Sequence, residues 1–173
     1  INHISYVEET LSKLANTQHT DGSFPRYITF GNVSMNLKSF IPKSKAAKLE
    51  ANIETNAFYI IGVHTLEQIN CELIQHIPIV KAVKFLYNNS RLHSPFHAIL
   101  LITAFNAYKD LTSSIHFDLD IRLIDLKIQQ LERYTMDNYW NGHYLKTPQG
   151  GFCEKTNAFA ILFHFTKASS VIC

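Results

Sequence analysis

The sequence predicts an all-α fold, a single domain of three antiparallel helical hairpins arranged in an arc. Six segments carry apolar residues at the 3.6-residue period of a helix, while strand patterns are few. Amphipathic segments alternate along the chain with segments that are apolar on nearly every side. The letters Thr-Asn-Ala-Phe occur twice, at 55–58 and 156–159, and such internal repeats are typical of stacked helical units.

The first three predicted helices differ in how much of their surface is apolar. An amphipathic helix is predicted at 4–14, where apolar residues recur at spacings of three, four and three. The second predicted helix, 55–68, is apolar nearly all round, as expected of a helix buried on most sides. The third runs from about Ile77 to Asn88, with Pro78 in its first turn, where proline is tolerated.

The last three predicted helices repeat this alternation. Ser94 and Pro95 open a fourth helix, 94–108, because serine is a favoured N-cap and proline a favoured first residue. The fifth, 120–135, carries an apolar stripe of Ile121, Ile124, Ile128 and Leu131. The sixth covers about 156–167. The letters YITF at 27–30 are compatible with a short hairpin of strands.

The alternation predicts that the second, fourth and sixth helices lie inside and the others outside. The hairpins then cover about 4–70, 77–109 and 120–168. Aligning the inner helices pairs TNAFYI with SPFHAI and TNAFAI, and predicts Thr55, Ser94 and Thr156 as N-caps. Long connections precede two of the inner helices. We therefore expect a site at the rim where the inner helices begin.

Composition excludes several classes of function. Sixteen Lys and Arg against 14 Asp and Glu give a net charge of +2 without a basic cluster, which argues against nucleic-acid binding. The longest apolar stretch, 98–105, is far shorter than the roughly 20 residues of a membrane span. Three separated cysteines favour reduced thiols and a cytoplasmic location. Since the chain begins with Ile, we expect it to be processed or cut from a longer one.

Four short motifs resemble the terpenoid cyclase and protein prenyltransferase superfamily. Gln18 to Phe24, QHTDGSF, is similar to that superfamily's Q-x-x-D-G-S-[FW] turn, and Thr-Asn-Ala-Phe at 55–58 opens an inner helix. Gly150-Gly151-Phe152 resembles its G-G-F, and Tyr139-Trp140-Asn141-Gly142 resembles a degenerate turn. The resemblance implies part of an α/α toroid, about half a ring, and hydrophobic isoprenoid-like or polycyclic ligands. An open arc predicts a homodimer or a partner domain.

The catalytic motifs of that superfamily are incomplete in this chain. The closest match to D-x-D-D is Asp118-Leu119-Asp120-Ile121, and helix capping explains these aspartates better. No D-D-x-x-D motif is present. A zinc set would need Cys153 together with His164, about 12 Å further along a helix. His93 and His97, four residues apart, lack the glutamate of H-E-x-x-H. We therefore predict no metal and no cofactor.

The remaining candidates are aromatic and polar residues of the predicted rim. Aromatic walls with a few convergent polar groups are typical of small-molecule pockets. The residues are Asp21, Phe24, Arg26, Tyr27, Asn56, His97, Tyr139, Trp140, His143, Tyr144, Phe152, Glu154 and Asn157. A structural role is the alternative for several of them: the aromatic residues close the turns, and the two asparagines bond backbone groups.

Two functions remain open. The first is an enzyme, or part of one, that binds or transforms a hydrophobic isoprenoid-like or polycyclic molecule. The second is a non-catalytic α-hairpin module that binds a peptide, a glycan or a partner subunit. The long connections at one rim favour the first, because a spacer does not need them.

Overall fold

The computed structural model describes residues 13, 15–24, 45–68, 78–90, 94–112, 120–142 and 144–169. Within them the chain forms five α-helices: α1 (Lys45–Glu67), α2 (Ile79–Asn89), α3 (Pro95–Thr112), α4 (Ile121–Tyr139) and α5 (Glu154–Ser169). Extended pairing in these ranges is limited to two isolated bridges in the α4–α5 loop. The all-α prediction is confirmed. Most of the predicted helix at 4–14, and the letters YITF, lie outside the described residues.

Helix α3 lies at the centre of the described structure, where it contacts each of the other four helices. Its sequence explains this position, because apolar residues occur on every side of the helix. Buried residues include Leu100, Leu101, Phe105, Tyr108 and Leu111. The prediction of a helix enclosed on most sides is therefore confirmed for α3, and Ser94 caps it by accepting a hydrogen bond from the His97 N–H at 3.2 Å.

Helix α4 is amphipathic, as predicted. Its buried residues are Ile124, Ile128, Leu131, Thr135 and Tyr139, which recur every three or four positions. Ile121, predicted in this stripe, is exposed because it is the first residue of the helix. Asp120 is the N-cap and accepts a hydrogen bond from the Arg122 N–H at 2.9 Å. This carboxylate therefore caps a helix, which is the role that the sequence favoured over a catalytic one for the incomplete D-x-D-D motif.

Two predicted helix starts are wrong. Helix α1 begins at Lys45, ten residues before the predicted cap Thr55, and α5 begins at Glu154, two residues before Thr156. The segment KAAKLEANIE at 45–54 contains mostly strong helix formers, so the helix continues on the N-terminal side of the threonine. The Thr-Asn-Ala-Phe repeat thus lies inside each helix.

The helices pack unequally against α3. Both α1 and α2 contact it and each other, and α4 and α5 contact it separately. Between α4 and α5 no comparable packing occurs in the described ranges. Near the start of α5, Phe159 packs on Phe96 of α3, with ring centroids 5.6 Å apart. The predicted arc of hairpins stays a prediction.

The turn at Gln18–Phe24 is held by its own side chains and by two helices. Asp21 Oδ1 accepts hydrogen bonds from the Ser23 N–H at 2.9 Å and the Ser23 hydroxyl at 2.8 Å. Gln18 Nε2 donates to the carbonyl oxygens of Gly22 and Pro78. Gly22 has φ of 89° and packs directly on the backbone of α2 at Lys81. Asp21, Gly22 and Ser23 therefore stabilise the backbone conformation of this turn and its close approach to α2.

Replacing Gly22 with Ala should destabilise the chain more than replacing Gly142 with Ala. Both glycines have positive φ, which costs about 1 kcal/mol or more for a residue with a side chain. A Cβ at Gly22 would also lie 2.2 Å from the Lys81 carbonyl oxygen, whereas a Cβ at Gly142 would meet nothing within 4 Å. Displacing that backbone should cost a further 2 kcal/mol or so. Urea unfolding measures both losses, and equal losses would contradict the close packing of Gly22 on α2.

Candidate functional site

A cleft of about 840 Å³ separates α4 from α5. Its volume falls within the range of small-molecule pockets, about 300–1,000 Å³. Side chains from α3, α4, α5 and the α4–α5 loop line it: Ile99, Ile102, Gln129, Glu132, Arg133, Thr135, Met136, Trp140, Tyr144, Leu145, Phe152, Asn157, Ala160 and Ile161. The cleft lies where α4 and α5, which both pack on α3, make few contacts with each other.

The loop between α4 and α5 places three aromatic side chains at one end of the cleft. Trp140 pairs with Leu145, and Lys146 with Phe152, in antiparallel bridges. The Lys146 N–H donates to the Tyr139 carbonyl at 2.8 Å, which returns the loop to the end of α4. Tyr144 and Phe152 meet edge to face, with ring centroids 5.3 Å apart. Trp140, Tyr144 and Phe152 all line the cleft, and we call these three side chains the aromatic wall.

Asn157 fixes this loop to α5. Its Oδ1 accepts a hydrogen bond from the Leu145 N–H at 2.8 Å. Its Nδ2 donates to the carbonyl oxygens of Leu145 at 3.1 Å and Cys153 at 2.9 Å. The amide thus satisfies both backbone groups of Leu145 and holds the aromatic wall in place.

Asn56 fixes a preceding segment to its helix in the same way in the first copy of the repeat. Its Oδ1 accepts from the Phe24 N–H at 3.3 Å, and its Nδ2 donates to the Asn52 carbonyl four residues earlier at 2.7 Å. Asn157 likewise donates to the carbonyl of Cys153, four residues before it. The repeated letters therefore place an asparagine inside a helix, where it bonds the backbone of a segment that precedes the helix. Both asparagines, predicted as ligand-binding candidates, hold loop backbone.

The cleft exposes large apolar side chains to solvent. Met136 and Trp140 are each 46% exposed, Ile161 is 55% and Phe152 is 59% exposed. Apolar side chains gathered in one concave place differ from scattered ones, which every protein surface contains. Such a group is typical of surfaces that bind a ligand or a partner.

Four predicted site residues meet at the cleft: Trp140, Tyr144, Phe152 and Asn157. The first three present aromatic surface there. Tyr139, which precedes them, is buried, and its hydroxyl lies 3.0 Å from that of Tyr134.

Most other candidates lie elsewhere in the fold. Asp21 is used within its own turn, and Phe24 is fully buried against Tyr59, with ring centroids 4.1 Å apart. Glu154 is exposed at the start of α5 and does not line the cleft. Arg26, Tyr27 and His143 lie outside the described residues.

His97 joins α3 to α1. Its Nε2 lies 3.1 Å from Glu54 Oε1, and its Nδ1 lies 2.8 Å from the Ser94 hydroxyl. Because Ser94 is also the N-cap of α3, the ring extends the cap to a neighbouring helix. His97 therefore joins two helices, and it does not line the cleft between α4 and α5.

Sequence reasoning missed the α4 side of the cleft. Gln129, Glu132, Arg133 and Met136 line it, and none of them was among the candidates drawn from the sequence. The spacing of Gln129, Arg133, Met136 and Trp140, by four, three and four, defines a second stripe beside the buried one. This spacing is the feature of the sequence that could have identified the α4 side of the cleft.

The described residues contain no group of three or more His, Cys, Asp or Glu that could hold a metal ion. The proposed partner of Cys153, His164, has no described side chain. Cys153 instead lies just before α5, where its Sγ accepts hydrogen bonds from the hydroxyl and the N–H of Thr156. These bonds hold the pKa of the thiol below its ordinary value.

Comparisons with protein-family models, curated proteins and solved structures give no match to this chain. The similarity to terpenoid cyclases and prenyltransferases therefore rests on the motifs alone. None of the helices in the described ranges has both the length and the apolar character that crossing a membrane requires.

Replacing Thr156 with Val should raise the pKa of Cys153 and slow its alkylation at neutral pH. The Thr156 hydroxyl is the largest cause of the lowered pKa, and only the thiolate reacts. The rate-against-pH curve of iodoacetamide alkylation, followed at this cysteine by peptide mass spectrometry, should therefore shift to higher pH. Thr103→Val is the control, because the Thr103 hydroxyl bonds the Ile99 carbonyl instead. An unchanged curve for the Thr156 variant would contradict this arrangement.

Proposed function

We propose that this chain binds a hydrophobic small molecule, isoprenoid-like or polycyclic, in the cleft between α4 and α5. The observation that carries the proposal is the set of exposed apolar side chains, Met136, Trp140, Phe152 and Ile161, which surround one concave space. A ligand that covers them removes apolar surface from water, which stabilises the complex by about 25 cal/mol per Å².

The shape of the cleft supports a small ligand. Ile99 and Ile102 of α3 and Ala160 of α5 give it aliphatic surfaces. The aromatic wall of Trp140, Tyr144 and Phe152 offers flat faces to rings and conjugated chains. The combination matches the general character of ligand pockets, which are mostly apolar with a few polar groups.

The motif resemblance supports the same class of ligand. In the terpenoid cyclase and prenyltransferase superfamily, aromatic walls accommodate isoprenoid chains. Here Phe152 of the G-G-F motif and Trp140 of the degenerate turn both belong to the aromatic wall of the cleft. The resemblance and the cleft thus converge on the same residues.

Binding can be followed through Trp140, the only tryptophan of the chain. Retinol is a suitable isoprenoid probe, because its absorption overlaps tryptophan emission. We expect saturable quenching in the unmodified chain. Met136→Glu should weaken binding at least tenfold, since it places a charge in the apolar part of the cleft, a cost above about 1.4 kcal/mol.

Leu123→Glu is the matched control for this experiment. Leu123 lies on the same helix and is 43% exposed, close to the 46% of Met136, but it does not line the cleft. This variant should bind retinol as the unmodified chain does. Equal weakening in both variants, or quenching that never saturates, would argue against the cleft. The remaining function would then be the module that binds a peptide, a glycan or a partner subunit.

A further inference from the structure

The cleft has one polar end and one aromatic end. Gln129, Glu132 and Arg133 line it along the middle of α4, whereas the aromatic wall lies beyond the end of that helix. Arg133 precedes the helix end at Tyr139 by six residues, or about 9 Å along the axis. A ligand that fills the cleft therefore meets polar groups at one end and aromatic surface at the other.

Arg133 brings a positive charge to the polar end. It is exposed, and no described residue forms a hydrogen bond or an ion pair with it. The neighbouring Glu132, in contrast, already makes an interaction within the chain. Arg133 thus has free donors, and its guanidinium matches the two oxygens of a carboxylate.

We propose that the preferred ligand is an amphipathic monocarboxylate, which places its acid group on Arg133 and its apolar part against the aromatic wall. This inference rests on the proposed function and specifies its ligand. Within the described residues Arg133 is the one cationic side chain that lines the cleft. One cation matches a single negative charge, whereas a diphosphate carries more charge than one guanidinium neutralises.

Retinoic acid and retinol test the proposal, because they share one isoprenoid skeleton and differ in the head group. Trp140 quenching should show that the unmodified chain binds the acid about threefold to fivefold more tightly, the upper part of the range for an exposed ion pair. Arg133→Gln should remove this preference, so that the variant binds the acid and the alcohol with equal affinity. Added salt should weaken the binding of the acid alone.

Arg122→Gln is the control for net charge. Arg122 lies on the same helix, about 16 Å before Arg133, and is bonded to Asp120 outside the cleft. This variant should keep the preference for the acid. The proposal is overturned if the unmodified chain binds both retinoids equally. It is also overturned if Arg122→Gln weakens the binding of retinoic acid as much as Arg133→Gln does. If neither retinoid binds, the proposed function itself is wrong, and this inference is wrong with it.

Discussion

The described fold depends on one recurring interaction, an asparagine amide inside a helix that bonds the backbone of a preceding segment. Asn56 holds the turn at Phe24, and Asn157 holds the α4–α5 loop at Leu145. Backbone groups of such segments would otherwise lack partners where they pack against helices, and leaving one buried and unpaired costs about 1–3 kcal/mol. The same two amides also bond the carbonyl four residues earlier, so each loop is fixed to a rigid helix.

This anchoring connects the fold to the cleft. Helix α3 is buried on most sides and packs against α4 and α5 separately, while Asn157 fixes the loop that carries the aromatic wall. Keeping Met136, Trp140, Phe152 and Ile161 exposed forgoes the stabilisation that burying them would give. The ligand proposed for the cleft would recover that stabilisation by covering these side chains.

Periodicity predicted the helices well where the apolar pattern was strong. Helix α3 follows from its uniformly apolar letters and its Ser-Pro start, and the buried stripe of α4 follows from its spacing. The start of α1 could not be placed by aligning the repeat, because Thr55 resembles a cap while helix formers continue before it. Three of the aromatic candidates, Trp140, Tyr144 and Phe152, line the cleft, but Arg133 and Met136 were missed. Periodicity shows which residues share a helix face, and it does not show whether that face borders a cleft or open solvent.

Nuclear magnetic resonance tests most directly whether a ligand enters the cleft. The chain has one tryptophan, Trp140, and two methionines, of which Met136 lines the cleft, so labelled indole and methyl groups give a simple spectrum. With added retinol, the Trp140 indole N–H and the Met136 methyl resonances should shift together and saturate at the same concentration. Resonances that stay unchanged, or that shift without saturation, would contradict a bound ligand between α4 and α5.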